Sequence, residues 1–160
     1  MKSKIVTQNK AVEIRNKLKR SGKRVVFTNG CFDILHSGHA VYLDRARKLG
    51  DFLIVGLNTD PSVRRLKGRN RPIMGFRERA LLLSYLAPVD LVVGFSDDTP
   101  LKLIKKLRPD ILAKGADYNI ADIVGASEVK SWGGKVRRIR LVKGRSTTEI
   151  INKMSKITLR

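Results

Sequence analysis

The stretch that most constrains the fold is residues 24–49, R-V-V-F-T-N-G-C-F-D-I-L-H-S-G-H-A-V-Y-L-D-R-A-R-K-L. Val25, Val26, Phe27 and Thr28 make a β-branched and aromatic run of the kind that forms a buried strand, and Asn29-Gly30 then breaks it. Downstream, Ala40, Leu43 and Ala46 recur at helical period, with Asp44, Arg45, Arg47 and Lys48 mostly on the other face. Between strand and helix stands His36-Ser37-Gly38-His39, which holds the only 2 histidines of the chain. At the start of a helix this spacing lets both side chains project from one turn, beside backbone N–H groups that have no intrahelical partner. Such a turn is a ready anion site. Gly38 lets a phosphate approach the backbone with no Cβ in the way. In isolation the same four letters would be an ordinary surface turn; strand, glycine turn and helix in that order give them chemical meaning.

The chain has 160 residues, enough for one domain with a full hydrophobic core. An N-terminal helix is expected within residues 1–22 and an α/β core over residues 23–160. The apolar share is 42%, that of an ordinary globular protein. No run reaches the roughly 18 apolar residues of a membrane span. The start, Met-Lys-Ser-Lys, leads into a polar helix with no apolar signal core, so a cytoplasmic protein is expected. Cys31 is the single cysteine: it has no partner for an internal disulfide or a zinc site, in keeping with a reducing compartment. It reads as a small filler beside the site rather than a nucleophile, because no neighbouring group is placed to activate it.

Charge narrows the partners. The 34 Lys and Arg against 14 Asp and Glu leave a net +20, a field that attracts polyanions. Nucleic acid is the first suspect. The basic residues, however, are spread along the chain, with small clusters at 64–71 and 137–145, and the aromatics, 6% of residues, are not interleaved with them as base-stacking platforms would be. A small, highly phosphorylated substrate exploits the same field. A nucleic-acid partner is therefore disfavoured.

The rest of the chain alternates helix and strand patterns. Thr7 caps a helix that runs to about Arg20 on a narrow stripe of Ala11, Ile14 and Leu18, and Ser21-Gly22 ends it. Gly50 closes the helix after the histidines as a C′ glycine. Residues 51–58 are a continuous apolar run, the pattern of a parallel strand covered on both faces. Asn58-Thr59-Asp60-Pro61 closes it and caps a short helical turn. Residues 67–72, K-G-R-N-R-P, then make a glycine-bearing basic loop. Any one of its cations would ordinarily be solvated, but the loop follows a parallel strand, and open α/β sheets bind ligands beyond the carboxyl ends of their strands. Lys67 is the phosphate ligand expected from it.

A helix over 76–86 has Ala80, Leu83 and Leu86 inside and Arg77-Glu78-Arg79 exposed; Arg79 either reaches back to phosphate or pairs with an acid in its own helix. Strands follow at 89–94, 111–113 and 136–142. Thr99 as N-cap and Pro100 at N1 start a helix that buries Leu101, Ile104 and Leu107. Another helix spans 123–132, ended by Gly133-Gly134, with Trp132 as a core or subunit-contact residue rather than a base platform. Lys114-Gly115-Ala116-Asp117-Tyr118 leaves the fourth strand at its carboxyl end, with a glycine where a ligand could approach; as a bare turn it would use Tyr118 for packing. Ser146, Thr147 and Thr148 open the last helix, whose apolar positions continue at Ile151 and Met154. One of the three serves as N-cap. Hydroxyls and free N–H groups flanked by Lys143 and Arg145 also suit a pyrophosphate. In a right-handed doubly wound sheet this turn and the histidine turn can share one edge, so a single nucleotide can span both. The expectation is a Rossmann-like, doubly wound α/β fold with a five-stranded, mainly parallel sheet and helices on both faces.

The run V-V-F-T-N-G-C-F-D-I-L-H-S-G-H resembles the signature of the cytidylyltransferase-like nucleotidyltransferases, in which H-x-G-H and a late S-T-T helix start hold a triphosphate. With A-R-K-L-G-D-F-L-I-V-G-L-N-T-D, R-L-K-G, R-P-I, D-T-P, P-D-I-L-A-K-G-A-D-Y and S-T-T-E-I-I it is similar, within that superfamily, to the adenylyltransferases that act on D-glycero-β-D-manno-heptose 1-phosphate. The match runs in order from about Arg24 to the last helix. Many relatives fuse this domain to a sugar kinase, and the chain resembles the stand-alone form.

The resemblance implies that ATP and the heptose 1-phosphate give ADP-heptose and pyrophosphate, with Mg²⁺ carried on the triphosphate rather than in a protein cage, feeding surface-glycan assembly. It implies nucleotide contacts from Asn29, Gly30, Cys31, Phe32, His36, Gly38, His39, Lys114, Gly115, Asp117, Ser146, Thr147 and Thr148. His36, His39 and Lys67 are the catalytic candidates. On the acceptor side stand Lys67 and Arg71, with Asp33 orienting a histidine or holding the substrate. Two departures stand out: Ala116 replaces an expected glycine, tightening the base or sugar pocket, and Arg145 replaces a smaller residue, adding a cation near the phosphates. A homodimer or higher homo-oligomer is expected by the same resemblance. The alternatives are a sibling enzyme that uses CTP and glycerol 3-phosphate or makes a flavin dinucleotide, a nucleotide-binding domain without turnover, and, more remotely, a basic nucleic-acid-binding domain.

Overall fold

The computed structural model describes residues 3–117, 119–142, 144 and 146–158. Its strands are β1 (Ile5–Val6), β2 (Val25–Gly30), β3 (Phe52–Asn58), β4 (Leu91–Phe95), β5 (Ile111–Gly115) and β6 (Lys135–Ile139). They form one sheet in the order β1-β4-β3-β2-β5-β6, every neighbouring pair parallel. The helices are α1 (Gln8–Arg20), α2 (Ser37–Arg47), α3 (Asp60–Lys67), α4 (Phe76–Tyr85), α5 (Leu101–Leu107), α6 (Ala126–Ser131) and α7 (Thr147–Thr158), with a 3-10 turn at Ile120–Asp122. None of the described helices is long and apolar enough to cross a membrane.

The strands are continuously apolar because both faces of the sheet are covered. Alternate residues of β2 go to opposite sides: Val25 and Phe27 join Ile54, Val93 and Leu112 in a core with residues of α1, α5 and α6. Val26 joins Leu53, Val55, Val92 and Ala113 in a core closed by residues of α2 and α4. Helix α1 begins as its sequence prescribes, Lys10 N–H donating to Thr7 Oγ1 over 3.3 Å, and its stripe of Ala11, Ile14 and Leu18 packs on the first core. Trp132 packs partly buried against that core, its indole N–H donating to the Pro109 carbonyl over 3.0 Å.

Several expectations are corrected. The sheet has six strands, not five, and is wholly parallel. The extra strand, β1, is a two-residue edge registered as Ile5↔Val92 and Val6↔Val93, too short to carry a periodic signal. Asn29 and Gly30 do not break β2; they extend it, paired with Gly56 and Leu57, and the chain turns only afterwards. Gly50 is no left-handed C′ residue. Helix α2 ends at Arg47 with Lys48 as its cap, and a Cβ on Gly50 would lie 2.8 Å from the Arg24 carbonyl oxygen and 2.7 Å from Val26 Cγ2. Its glycine serves close packing rather than a positive φ. On α2 the inward face is Tyr42, Leu43 and Ala46, while Ala40 is exposed.

Asp60–Lys67 is a full helix rather than a turn, so Lys67 is its last residue and not part of a loop. Helix α5 takes Pro100, not Thr99, as its cap residue and has no side-chain cap bond. The helix expected over 123–132 is confined to Ala126–Ser131, entered through left-handed Gly125 at φ 86°. The last strand stops at Ile139, three residues early, which leaves Leu141 and Val142 in the following loop. Arg79, expected on the surface, is fully buried.

Candidate active site

With every strand parallel, all carboxyl ends lie on one edge of the sheet. The chain winds outward from β2 through β3 and β4 on one side and through β5 and β6 on the other, so the crevice of an open sheet falls at β2/β5. A cleft of about 580 Å³ opens there. The residues named as catalytic, nucleotide and acceptor contacts line it: residues 29–33, His36, Gly38 and His39 after β2, Lys67 and Arg71 on one flank, and Lys114, Gly115, Asp117 and residues 146–148 on the other; Ala116, expected to tighten the pocket, and Arg79, offered as a phosphate ligand, do not. Tyr118, Lys143 and Arg145 lie outside the described residues.

The histidines sit as the strand–turn–helix reading places them. His36 occupies the N-cap position of α2 in an extended conformation, φ −143° and ψ 170°, and its carbonyl accepts from the N–H of His39 over 2.9 Å. The two imidazoles stack, centroids 3.9 Å apart and planes inclined 24°. Phe32 meets His39 edge-on at 5.1 Å. Phe32 holds φ 44°, a left-handed conformation that bulky side chains rarely adopt, and its ring also covers the place where a Cβ on Gly30 would stand, 3.0 Å away. The turn therefore stores strain to put an aromatic wall against the histidine.

Burial, reinforced by the neighbouring His36, lowers the His39 pKa to about 4, against the opposing pull of a hydrogen bond with the Ile34 backbone. His39 is thus neutral at pH 7. Its Nδ1 and the Asn29 Oδ1 are buried and meet no hydrogen-bond partner among the described residues, the condition of polar atoms that a bound ligand would satisfy.

Cations ring the cleft. Burial lowers the Lys114 pKa to about 8, resisted by Asp117 and Cys31. Burial also raises the Cys31 pKa despite Lys67, Arg79 and Arg71 nearby, so the thiol is not activated. Asp33 is almost wholly buried, yet its pKa falls: burial pushes it up, and the backbone N–H groups of Met74 and Ile73 together with Arg71 outweigh that. Its carboxylate accepts from Ile73 N–H (2.8 and 3.0 Å), Met74 N–H (2.9 Å) and Arg71 Nε (2.5 Å). It thus clasps residues 71–74 rather than a histidine.

Helix α7 opens on a reciprocal cap: Glu149 N–H donates to Ser146 Oγ and Ser146 N–H to Glu149 Oε2, both over 3.1 Å. Thr147 Oγ1 donates to the Ile34 carbonyl over 3.4 Å, which joins this helix start to the histidine loop. Of the three hydroxyl residues, Ser146 is the cap.

Five cleft residues were not anticipated: Tyr42, Asn58, Leu66, Leu141 and Val142. Tyr42 carried a readable signal, three positions beyond His39 on the same helix face; its hydroxyl bonds Thr28 Oγ1 over 2.8 Å and donates to the Ala113 carbonyl over 3.3 Å. Leu141 and Val142 were hidden by the apolar run that made them look like strand. Among the described residues no group of three or more His, Cys, Asp or Glu could hold a metal ion.

A family model described as cytidylyltransferase-like matches residues 27–153. Among curated proteins, the bifunctional protein HldE of Magnetococcus marinus is 59% identical over 134 residues, which cover 84% of this chain and 28% of that protein. HldE of Geobacter sulfurreducens is 56% identical over 138 residues, covering 86% of this chain and 28% of the relative. The chain therefore spans less than a third of the length of these relatives. Among solved structures, a lipopolysaccharide core biosynthesis protein from Thermoplasma volcanium superposes with TM-score 0.63 at 33% identity, covering 78% of this chain and 100% of that one. Pantoate-beta-alanine ligase from Francisella tularensis superposes with TM-score 0.61 at 17% identity over 98% of this chain and 79% of the ligase, a likeness of fold alone. With the match running from within β2 through β6, across the histidine turn and into α7, the chain belongs to the cytidylyltransferase-like family of nucleotidyltransferases.

Proposed function

We propose that the protein is an adenylyltransferase that joins ATP and D-glycero-β-D-manno-heptose 1-phosphate into ADP-heptose, releasing pyrophosphate, in the cytoplasm. The observation that carries the reading is the stacked histidine pair at the start of α2, set in one cleft between the Lys67/Arg71 flank and the hydroxyl-bearing start of α7. Two anionic substrates can be aligned there from opposite sides. The Thermoplasma volcanium relative, a lipopolysaccharide core biosynthesis protein, supports a surface-glycan sugar as acceptor.

The chemistry asks little of a general base. A sugar phosphate is already largely a dianion at neutral pH, its second pKa being about 6. One of its oxygens attacks the α-phosphorus in line; the new P–O bond forms as the bond to the β-phosphate oxygen breaks, and the electron pair leaves with pyrophosphate. The protein aligns two like-charged groups and neutralises charge as it develops. Lys67 bridges the sugar phosphate and the α-phosphate, Arg71 holds the acceptor, and Asp33 holds Arg71 in place. His36 and His39 donate to the transferring and leaving phosphates. Neutral at pH 7, His39 can take up a proton when the triphosphate's charge arrives and then donates from both ring nitrogens. Lys114, Gly115 and Asp117 flank the nucleoside, with Ser146, Thr147 and Thr148 at the outer phosphates. Mg²⁺, when bound, would screen the charge of the triphosphate that carries it.

Pyrophosphate release with Mg²⁺, crossing ATP and CTP against heptose 1-phosphate and glycerol 3-phosphate, tests the reading. Turnover only with ATP and the heptose phosphate is expected. Turnover with another pair moves the acceptor or base assignment to a sibling enzyme, and silence in every combination from folded protein overturns it.

A further inference from the structure

Arg79 is a charged side chain with no exposed surface, in the first turns of a helix whose neighbouring charges are solvated. Its guanidinium donates from Nε to the Met74 carbonyl over 2.9 Å, and from one terminal nitrogen to the carbonyls of Cys31 (2.6 Å) and Asn58 (2.9 Å). The other terminal nitrogen donates to Asp60 Oδ1 over 2.6 Å. A guanidinium is planar and its donors are fixed in direction, so groups bonded to all three nitrogens are held at set angles to one another. A buried cation stripped of these partners would be strongly destabilising, which makes the arrangement close to all-or-none.

The partners belong to the elements that build one flank of the cleft. Cys31 lies in the turn that leads to the histidines, and Asn58 ends β3. Asp60 begins α3, whose far end presents Leu66 and Lys67 to the cleft. Met74 ends the segment that carries Arg71, and Asp33, two residues after Cys31, grips the same segment by its amides. Residues 71–74 are thereby clamped from both sides, carbonyl to Arg79 and N–H groups to Asp33. Arg79 does not itself line the cleft. None of its bonds goes to β5, β6 or α7, the opposite flank.

We infer that Arg79 is the positioning residue of the acceptor flank: it sets Lys67 and Arg71 in register with the histidine turn and leaves the opposite flank untouched. The inference rests on the proposed function for which flank takes which substrate. It predicts a split. Displacing the flank by a fraction of an ångström should weaken use of the sugar phosphate and leave nucleotide binding nearly intact.

The test uses the full chain with Arg79→Lys, which keeps the charge but loses the fork, and Asp60→Asn, a milder variant that retains the carbonyl bonds and serves if the first does not fold. In kinetics, kcat/KM for the sugar phosphate should fall about tenfold or more while the dissociation constant of a non-hydrolysable ATP analogue stays within about threefold. If Arg79 acts through Lys67 and Arg71, adding Arg79→Lys to the paired Lys67→Met and Arg71→Met variant should cost less than about twofold beyond that paired variant alone. Equal weakening of both substrates, or full additivity in that cycle, would overturn the inference. Hydrogen exchange needs no activity. The amides of Ile73 and Met74 should exchange about tenfold faster in the variant with those of β5 unchanged, and unaltered exchange at Ile73 and Met74 would equally overturn it. Absence of wild-type turnover would sink the proposed function by itself, leaving the exchange measurement to decide whether Arg79 holds the flank.

Discussion

At the scale of single residues, the cleft is governed by what burial does to ionisable groups. His39 is neutral because charging it would mean placing a cation in a half-dry site against a second imidazole. Replacing His39 with Ala removes a preorganised donor and should lower kcat by about 10² to 10³, as the loss of one transition-state donor does elsewhere. Single-turnover kinetics on folded variant would read it, and activity within a few-fold of wild type would remove His39 from the catalytic set. The same residue links stability to pH. Its pKa is about 4 in the native protein against 6.5 for an ordinary imidazole, so the unfolded chain binds more protons in that interval. Stability should be unaffected by this group above about pH 6.5 and fall as pH drops toward 4, and His39→Gln should flatten that part of a urea-midpoint profile. Lys114 runs the other way in function. Charged below about pH 8 and neutral above, it should let nucleotide affinity fall as pH rises through that value. Lys114→Arg should move the falling limb upward by more than a pH unit, and an unmoved limb would show that another group sets it.

At the scale of elements, glycine and cap positions show how local rules and packing divide the work. Ser146 and Glu149 meet the capping-box rule from sequence alone, and Thr7 is the N-cap that its position suggested. Gly50 looked like the same kind of local signal and is not. It is needed because the chain between α2 and β3 passes against the backbone of Arg24, where Asp51 N–H donates to the Arg24 carbonyl over 2.8 Å. Gly50→Ala should therefore destabilise the protein by about 1 to 3 kcal/mol, the usual cost of overpacking, seen as a lower urea midpoint with unchanged slope. A neutral outcome would mean that the strand edge yields more easily than a contact with backbone suggests. Helix α3 makes a related point. Its charged sequence hides a buried face of Ser62 and Val63, and its end, not a loop, delivers Lys67.

At the scale of the whole molecule, the proposed function predicts that the +20 charge steers anionic substrates toward the cleft that Lys67, Arg71 and Lys114 line. Steering of a multiply charged substrate weakens with salt over a Debye length of about 8 Å at physiological ionic strength. Raising salt should thus lower kcat/KM for ATP several-fold while kcat changes little, and a salt-insensitive kcat/KM would assign the excess charge to some other purpose. The alternation of the longer strands and helices, the anion-binding turn and the N-caps at Thr7 and among residues 146–148 followed from the sequence, because each rests on periodicity or on groups within four residues of one another; the caps expected at Thr99 and Gly50 did not hold. The cleft residues that belong to motifs were legible for the same reason: in a parallel sheet each motif at a strand's carboxyl end is delivered to one edge. What the tertiary structure alone decided involves partners far apart in the chain. Arg79 binds Cys31 across 48 residues and Asp33 binds Ile73 across 40, so neither the buried guanidinium nor the clasp on residues 71–74 leaves a local pattern. The sixth strand and the two apolar residues released into the cleft after Ile139 belong to the same class. A two-residue edge is too short for a period, and where a strand stops is set by the length of its neighbour, which no residue within the strand records.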